Sequence, residues 1–475
     1  LRYSGVEGGE GTRIYQTLSD EFRDEIASRN GAPNLGIKLD SVYMRATNIS
    51  GTPLTDGYHF AQTIINDYGR PYWTGFNSII GATAYAVAGP FFASVQGEEQ
   101  HSPAMPSFPS NVLQDFGQFD QAPGVPNGTS TINRFLLLNG SFGLTFKNLR
   151  LSFGRQSEWL GPGQAGALLY SDNSRPITTL QIQSASPFRI PLLSYLLGPA
   201  QTEFFLGQLS GQQWIYNGTA LQGPGFNPQP YIHGDKISFR PTENLELGMG
   251  ISAIFAGPGL PFTLPNFLKT YYSHKANISL NPGKRFSAFD VNYRVPGIRN
   301  WLTLYLDSLV GDEISPIGST RPVLNPGFYM PRIPKVPKLD LRVEGVKDSL
   351  TTEFGPGFNF FDRRYRSGYT NDGYLIGNWV GRAGNGVQAW STYWFSPRTK
   401  LQLGYRHQQV DQKFLEGGHL NDFSVRTDVM LGHSLAVTGS VQYETWNFPL
   451  LAPTAQSNVT ASVQLTLFPH FQWRK

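Results

Sequence analysis

Arg155, Gln156, Trp159, Tyr170, Asp172, Asn173 and Arg175 crowd into one short stretch of the chain, and Arg366, Tyr369, Asn371 and Trp379 into another. Each stretch combines flat aromatic rings, planar hydrogen-bonding groups and guanidinium cations. Rings stack on sugar faces, amides and carboxylates take hydroxyls, and arginine takes carboxylates in a bidentate grip. The chemistry that these two sets could do is polysaccharide binding. The competing reading of any one residue is that it builds its loop's own hydrogen bonds and plugs the interior.

Other chemistries have less support. Glu158 and Asp172 could be the carboxylate pair of a glycosidase, which requires side chains about 5–10 Å apart across a sugar, and nothing in their spacing fixes that distance. His233, His407, His419 and His433 show no metal-ligand spacing, and the chain has no cysteine, so no metal or cofactor is expected. Gly432-His433-Ser434-Leu435-Ala436 lacks the second glycine of a nucleophile elbow. The expectation is a protein without catalytic activity.

The elements that must hold these loops read as strands. Phe142, Leu144 and Phe146 alternate with Gly143 and Thr145, Lys147-Asn148 turns, and Leu149, Leu151 and Phe153 alternate with Arg150, Ser152 and Gly154. Period-two alternation puts one apolar face opposite one small or polar face. The same logic predicts hairpins 236–240 with 245–252, 388–395 with 400–408 and 425–430 with 435–443. It predicts further strands over 39–46, 58–64, 78–88, 91–95 and 458–467. Tight turns join the hairpins. Long segments rich in Pro, Gly and Asn separate them, at 97–130, 160–180, 210–232, 255–275, 311–336 and 361–386.

Of 475 residues, 40% are hydrophobic, 13% aromatic and only 15% charged, the last below the roughly 25% usual in soluble domains. No apolar run approaches the roughly 20 residues of a membrane-spanning helix, so a membrane protein of this composition must cross with strands. Short turns at one end and long loops at the other are the asymmetry of an outer-membrane barrel. Trp214, Trp301, Trp379, Trp390, Trp394, Trp446 and Trp473 fall near strand ends, where interfacial girdles belong. The fold expected is all-β, a transmembrane antiparallel β-barrel over 35–475. Residues 1–34 read as an N-terminal segment with one amphipathic helix, Ile14, Leu18, Phe22 and Ile26 recurring every four residues before Asn30-Gly31, as a plug or periplasmic element. The net charge of +4 comes without a basic block, so nucleic acid is not expected as a partner.

One run then carries a resemblance. Gly154-Arg155-Gln156-Ser157-Glu158-Trp159-Leu160-Gly161-Pro162-Gly163, followed by Leu168-Leu169-Tyr170-Ser171-Asp172-Asn173-Ser174-Arg175-Pro176, resembles the capsule assembly Wzi family. So do Asn66-Asp67-Tyr68-Gly69-Arg70-Pro71, Gly198-Pro199 with Phe204-Phe205-Leu206-Gly207-Gln208, His233-Gly234 with Pro241-Thr242-Glu243-Asn244, and Gly373-Tyr374-Leu375-Ile376-Gly377, in the same order. The resemblance implies an integral outer-membrane barrel of about eighteen strands with a helical plug from its N-terminal part. It implies a lectin-like role, holding capsular or related exopolysaccharide at the cell surface without catalysis, in contact with outer-membrane lipids and polysaccharide export machinery. The alternative is a diffusion porin or substrate-specific outer-membrane channel, and the two differ in whether the lumen is open.

Overall fold

The computed structural model describes residues 35–272, 283–348, 355–469 and 472–474. Eighteen antiparallel strands follow one another around a closed sheet. They are β1 (Leu35–Gly51), β2 (Gly75–Ala88), β3 (Phe91–Ser102), β4 (Ile132–Phe146), β5 (Leu149–Gln156) and β6 (Ile177–Ser184). Next come β7 (Ala200–Gln208), β8 (Tyr231–Thr242), β9 (Leu245–Phe255), β10 (Gly283–Arg294), β11 (Thr303–Gly311) and β12 (Val323–Met330). The last six are β13 (Leu341–Lys347), β14 (Gly384–Ser396), β15 (Thr399–Val410), β16 (Gly418–Leu431), β17 (Leu435–Asn447) and β18 (Gln456–Leu467). β18 returns to β1, with Thr47 opposite Ser462 and their hydroxyls 2.9 Å apart. That seam removes both sheet edges. The short segment Gln472–Arg474 adds to the start of β1.

The alternation sorts side chains as the sequence suggests. In the β4–β5 hairpin Phe142 is 63% exposed and stacks edge-on against Phe153, while Ser141 and Ser152 turn inward and are buried. Phe423, Val425, Val441, Tyr443, Val463 and Leu465 continue the exposed apolar band around the barrel. A band of that extent is stable only where the outside is hydrocarbon rather than water.

Several expectations change in detail. Residues 58–64 form bends rather than a strand, because Tyr58, Phe60 and Ala61 are all buried and nothing on this segment alternates between two environments. β3 runs on to Ser102, and the connection after it carries the helix α1 (Ser110–Asp120). The stretch 311–336 hides β12, whose Asn325-Pro326-Gly327 reads as a turn although Pro326 sits in register opposite Leu306. Trp379 and Trp446 are buried on the inner side rather than in a girdle. There Trp446 Nε1 donates to the Thr52 carbonyl at 2.9 Å. The expected helix within 1–34 lies outside the described residues.

Two further short helices are α2 (Leu193–Leu197), between β6 and β7, and α3 (Leu264–Tyr272), between β9 and β10. α3 packs against outward-facing side chains of the wall. Phe267 meets Phe204 and Phe255, and the His233 ring lies 2.8 Å from the Thr270 hydroxyl. His233 is thereby buried as a packed wall residue.

Connections of the long-loop end fold back into the lumen. The 157–176 loop descends inside the wall, where every backbone group must find a partner. The Glu344 carboxylate of β13 accepts the Gln164 and Ala165 N–H groups, each at 2.8 Å, and the Tyr305 hydroxyl. Asp307 of β11 accepts the Leu168 N–H at 2.9 Å, and Asn325 of β12 donates to the Gly166 carbonyl at 3.1 Å. On the other side, Arg406 of β15 donates to the Gln62 and Thr63 carbonyls while paired with Asp422 and Glu444. Leu168, Tyr170, Ile215, Tyr365, Tyr369 and Trp379 then form one buried cluster across the lumen.

Candidate functional site

Above that filling, the long-loop end opens into a cleft of about 480 Å³. Four connections build it: 52–74, 103–131, 209–230 and the loop before β14. Its aromatic walls include Tyr72, Phe108, Trp214 and Tyr374, and its polar lining includes Asp56, His59, Asp120, Gln213, Arg366 and Asp372.

Local backbone chemistry fixes these walls. The Tyr374 ring is wedged between Gly57 and Gly69; a Cβ at Gly57 would lie 2.3 Å from it, and Gly69 also has φ of +56°. Only glycine meets both demands at position 69. Trp214 is held in register with Arg366, whose N–H donates to the Trp214 carbonyl at 3.0 Å, next to the bridge between Ile215 and Tyr365. The Arg366 guanidinium lies over the Phe361 ring, 5.8 Å from its centroid.

The floor is an ionic relay. Asp56 accepts the Tyr58 and His59 N–H groups and the His59 ring, each at 2.9 Å. The other ring nitrogen lies 3.0 Å from Asp120, at the end of α1, and Asp120 also pairs with Arg382 at 2.5 Å. Burial alone would push the His59 pKa down, but Asp56 and Asp120 together raise it to about 9. Imidazolium is therefore the form at neutral pH. Phe116 of α1 stacks on the same ring at 4.0 Å. Helix α1, one side of the cleft, is thus latched to the barrel's interior by charge and by ring contact.

The eleven residues singled out in the sequence part company. Arg366 lines the cleft. Arg175 stands at its edge, paired with Asp372 at 2.6 Å. Tyr170 and Tyr369 are buried; the Tyr369 hydroxyl donates to the Leu169 carbonyl at 2.9 Å. Asn173 and Asn371 are buried and donate to the Leu375 and Arg175 carbonyls. Trp379 is buried with them, and the Trp159 indole donates back to the Gly163 carbonyl at 2.9 Å. Gln156 accepts from Ser152, and Asp172 accepts from Ser157. Arg155 falls on the outward parity of β5, after Phe153, and donates to the Leu137 carbonyl of β4 at 2.7 Å. Most of the first stretch therefore plugs the lumen.

Glu158 does not face Asp172 across an open gap. It is buried and hydrogen-bonded to Glu203, and burial, then that bond, pushes its pKa up to about 11. Two carboxyl groups in hydrogen-bond contact leave no room for a sugar between them. Trp214, expected in a girdle, and His59, expected in a strand, line the cleft instead, and Tyr72 and Tyr374 were not singled out for it. Tyr374 lay in a quoted run, Gly373 to Gly377, whose glycines gave the one signal that backbone and ring pack closely there.

A family model described as capsule assembly protein Wzi matches residues 45–461. A relative from Klebsiella pneumoniae, described as an uncharacterized 55.8 kDa protein in the cps region, is 29% identical over 181 residues, 37% of this chain and 33% of that protein. Among solved structures, Wzi of Escherichia coli aligns with a TM-score of 0.67 at 17% identity, over 97% of this chain and 88% of that one. It is described as an outer membrane protein involved in group 1 capsule assembly and as a carbohydrate-binding β-barrel. OpdQ of Pseudomonas aeruginosa aligns with a TM-score of 0.47 at 10% identity, over 92% and 98% of the two chains.

Proposed function

Because this chain belongs to the capsule assembly protein Wzi family of outer-membrane barrels, we propose that its long-loop end is a lectin surface. The cleft binds capsular or related exopolysaccharide and helps assemble or retain it at the cell surface. The observation that carries the reading is the cleft itself: aromatic walls at Tyr72, Trp214 and Tyr374, hydrogen-bonding groups between them, and a lumen filled beneath. Sugars bind by stacking apolar faces on rings while hydroxyls meet planar polar groups, and this cleft offers both within one sugar-sized space. Long loops face the outside in such barrels, which puts the cleft where a surface polymer is. The apolar band meets outer-membrane lipid, and the short-turn end is left to face polysaccharide export machinery.

The reading is non-enzymatic. The carboxyl nearest Glu158 is engaged with it, and the acids lining the cleft serve as partners of His59, Arg382 and Arg175. A channel would need a water path through the lumen, where the loops are pinned to the wall by Glu344, Asp307, Asn325 and Arg406. The test is retention of the detergent-folded protein on the purified surface polysaccharide of its host, together with conductance in planar bilayers. Saturable retention without conductance supports the lectin; conductance without retention would establish the channel instead.

A further inference from the structure

Helix α3 lies on the outside of the barrel, and both of its long faces are apolar. Toward the wall it turns Phe267, Thr270 and Tyr271. Phe267 meets Phe204 and Phe255, and the Thr270 and Tyr271 hydroxyls lie 2.8 Å from the His233 ring and 2.9 Å from the Asp235 carboxylate. Away from the wall it turns Leu264, Leu268 and Tyr272, which follow at intervals of four and so share one side. All three are exposed, as is Phe262 just before the helix. A surface helix facing water carries polar residues on that side, whereas a helix apolar all round is covered on every side. Lys269, exposed on the same outer side, is its one charged residue.

The outer face of α3 continues the apolar band of the wall. Phe204 is opposite Ile182 in register, and Ile182, Leu180 and Met249 are exposed members of that band. Ile237 lies near the middle of β8, and His233, under the helix, is four residues nearer the long-loop end. At about 3.3 Å per residue on a strand tilted about 40°, that rise is roughly 10 Å, within the half-height of an apolar band about 25 Å tall. The helix therefore sits at the upper edge of the lipid layer, where it gives the outward-facing His233 and Asp235 their partners. Arg285 of β10 fixes its end by donating from Nη1 to the Tyr271 carbonyl at 3.0 Å. The acids of this part of the wall are engaged elsewhere: Asp235 with His233, Asp312 with Lys284 and Glu313 with Arg321. Lys269 is left facing outward at the level of lipid headgroups.

We infer that α3 is a lipid site in the outer leaflet: acyl chains of a phosphorylated glycolipid pack on Leu264, Leu268 and Tyr272 while a phosphate of its headgroup meets Lys269. A lysine at such a depth lays its stem along apolar surface and carries its charge up to the phosphate layer. A zwitterionic phospholipid makes the same acyl contacts but offers a phosphate already neutralised by its own cation. The inference is independent of the lectin reading and needs only that the barrel stands in the outer membrane with its long loops outside.

The chain has no cysteine, so Leu268→Cys takes a single spin label, and Ala220→Cys, exposed in the 209–230 connection, is the aqueous control. The labelled full-length chain is reconstituted into phosphatidylcholine vesicles containing lipid A, and relaxation by oxygen, which concentrates in bilayers, is compared with relaxation by a water-soluble nickel chelate. The label at 268 should respond to oxygen and be shielded from nickel, and the label at 220 should do the reverse. Lipid retained by the purified protein is then measured by native mass spectrometry after exposure to lipid A, phosphatidylglycerol or phosphatidylcholine. Wild type should retain lipid A in preference to both phospholipids, and Lys269→Gln should lower that retention about fivefold with melting unchanged. Nickel access at 268 would place the helix in water and overturn the site. Shielding from both reagents would mean that a second copy of the chain covers the face, which also overturns it. Equal retention of lipid A and phosphatidylglycerol, or no effect of Lys269→Gln, would overturn the assignment to a phosphorylated glycolipid.

Discussion

The 157–176 loop and the 103–131 loop teach opposite lessons. The first carries Trp159, Gln164, Tyr170, Asn173 and Arg175, and it lies inside the barrel. The second carries at least as many rings and amides, among them Phe108, Gln114, Phe116, Gln118, Phe119 and Gln121, and it forms one side of the cleft. A loop threaded into a lumen must satisfy its backbone without bulk water. It therefore needs the same amides, hydroxyls and rings that sugar recognition needs. Richness in hydrogen-bonding side chains marks a demand for partners, and here the partners are mostly other parts of the same chain.

The largest way to test that contrast is to unpin the plug. Glu344→Ala would leave the Gln164 and Ala165 N–H groups and the Tyr305 hydroxyl without their acceptor, at a cost of about 3 kcal/mol. The melting temperature in detergent should fall, and conductance should appear in planar bilayers as the 157–176 loop loosens. An unchanged, non-conducting barrel would mean that Asp307, Asn325 and packing hold the loop without Glu344.

Next in size is the latch of the other loop. Asp120→Asn removes the charge facing His59 and Arg382 and should cost about 2 kcal/mol of local stability, read as faster amide exchange across α1. The pH dependence has a definite sign. His59 is raised from about 6.5 to about 9, so its contribution is complete below about 6.5 and is lost as pH rises through 9. Protection of α1 in the wild type should decline over that window, and in Asp120→Asn the decline should begin at lower pH. Flat protection from pH 6 to 10 would rule out the charged latch.

Smaller effects separate cleft from plug as binding surfaces. Trp214→Ala should weaken polysaccharide binding by about 1 kcal/mol, roughly fivefold, with little change in melting. Trp159→Ala should leave affinity within about twofold, because that indole is spent on the Gly163 carbonyl, and should lower melting instead by about 1 kcal/mol. If affinity tracked Trp159 rather than Trp214, the ligand would lie along the plug loop and the cleft would lose its role.

Much of the wall was legible in the sequence. Alternation in 142–154, 388–408 and 425–443 is a local property, since a strand between lipid and lumen must change polarity at every residue. Segments without two distinct environments misled. Tyr58 to Ile64 is apolar enough for a strand but buried nearly throughout, and Asn325-Pro326-Gly327 looks like a turn because its place in a ladder depends on neighbours far along the chain. Of the candidate site, Arg366 and Arg175 could be read directly. Trp214, Tyr374 and His59 could not, because each gains its position from a partner remote in sequence: Arg366 for Trp214, the glycines at 57 and 69 for Tyr374, and Asp120 for His59.

The sequence by itself determined a large antiparallel barrel with an apolar outside, short turns at one end and long loops at the other. Strand periodicity and turn chemistry act over a few residues. Only the tertiary structure decided which long loops turn inward and which stay out to form a cleft. That choice rests on single wall acids and bases, Glu344, Asp307 and Arg406, meeting backbone groups more than a hundred residues away, and no local pattern records which carboxylate will find which N–H.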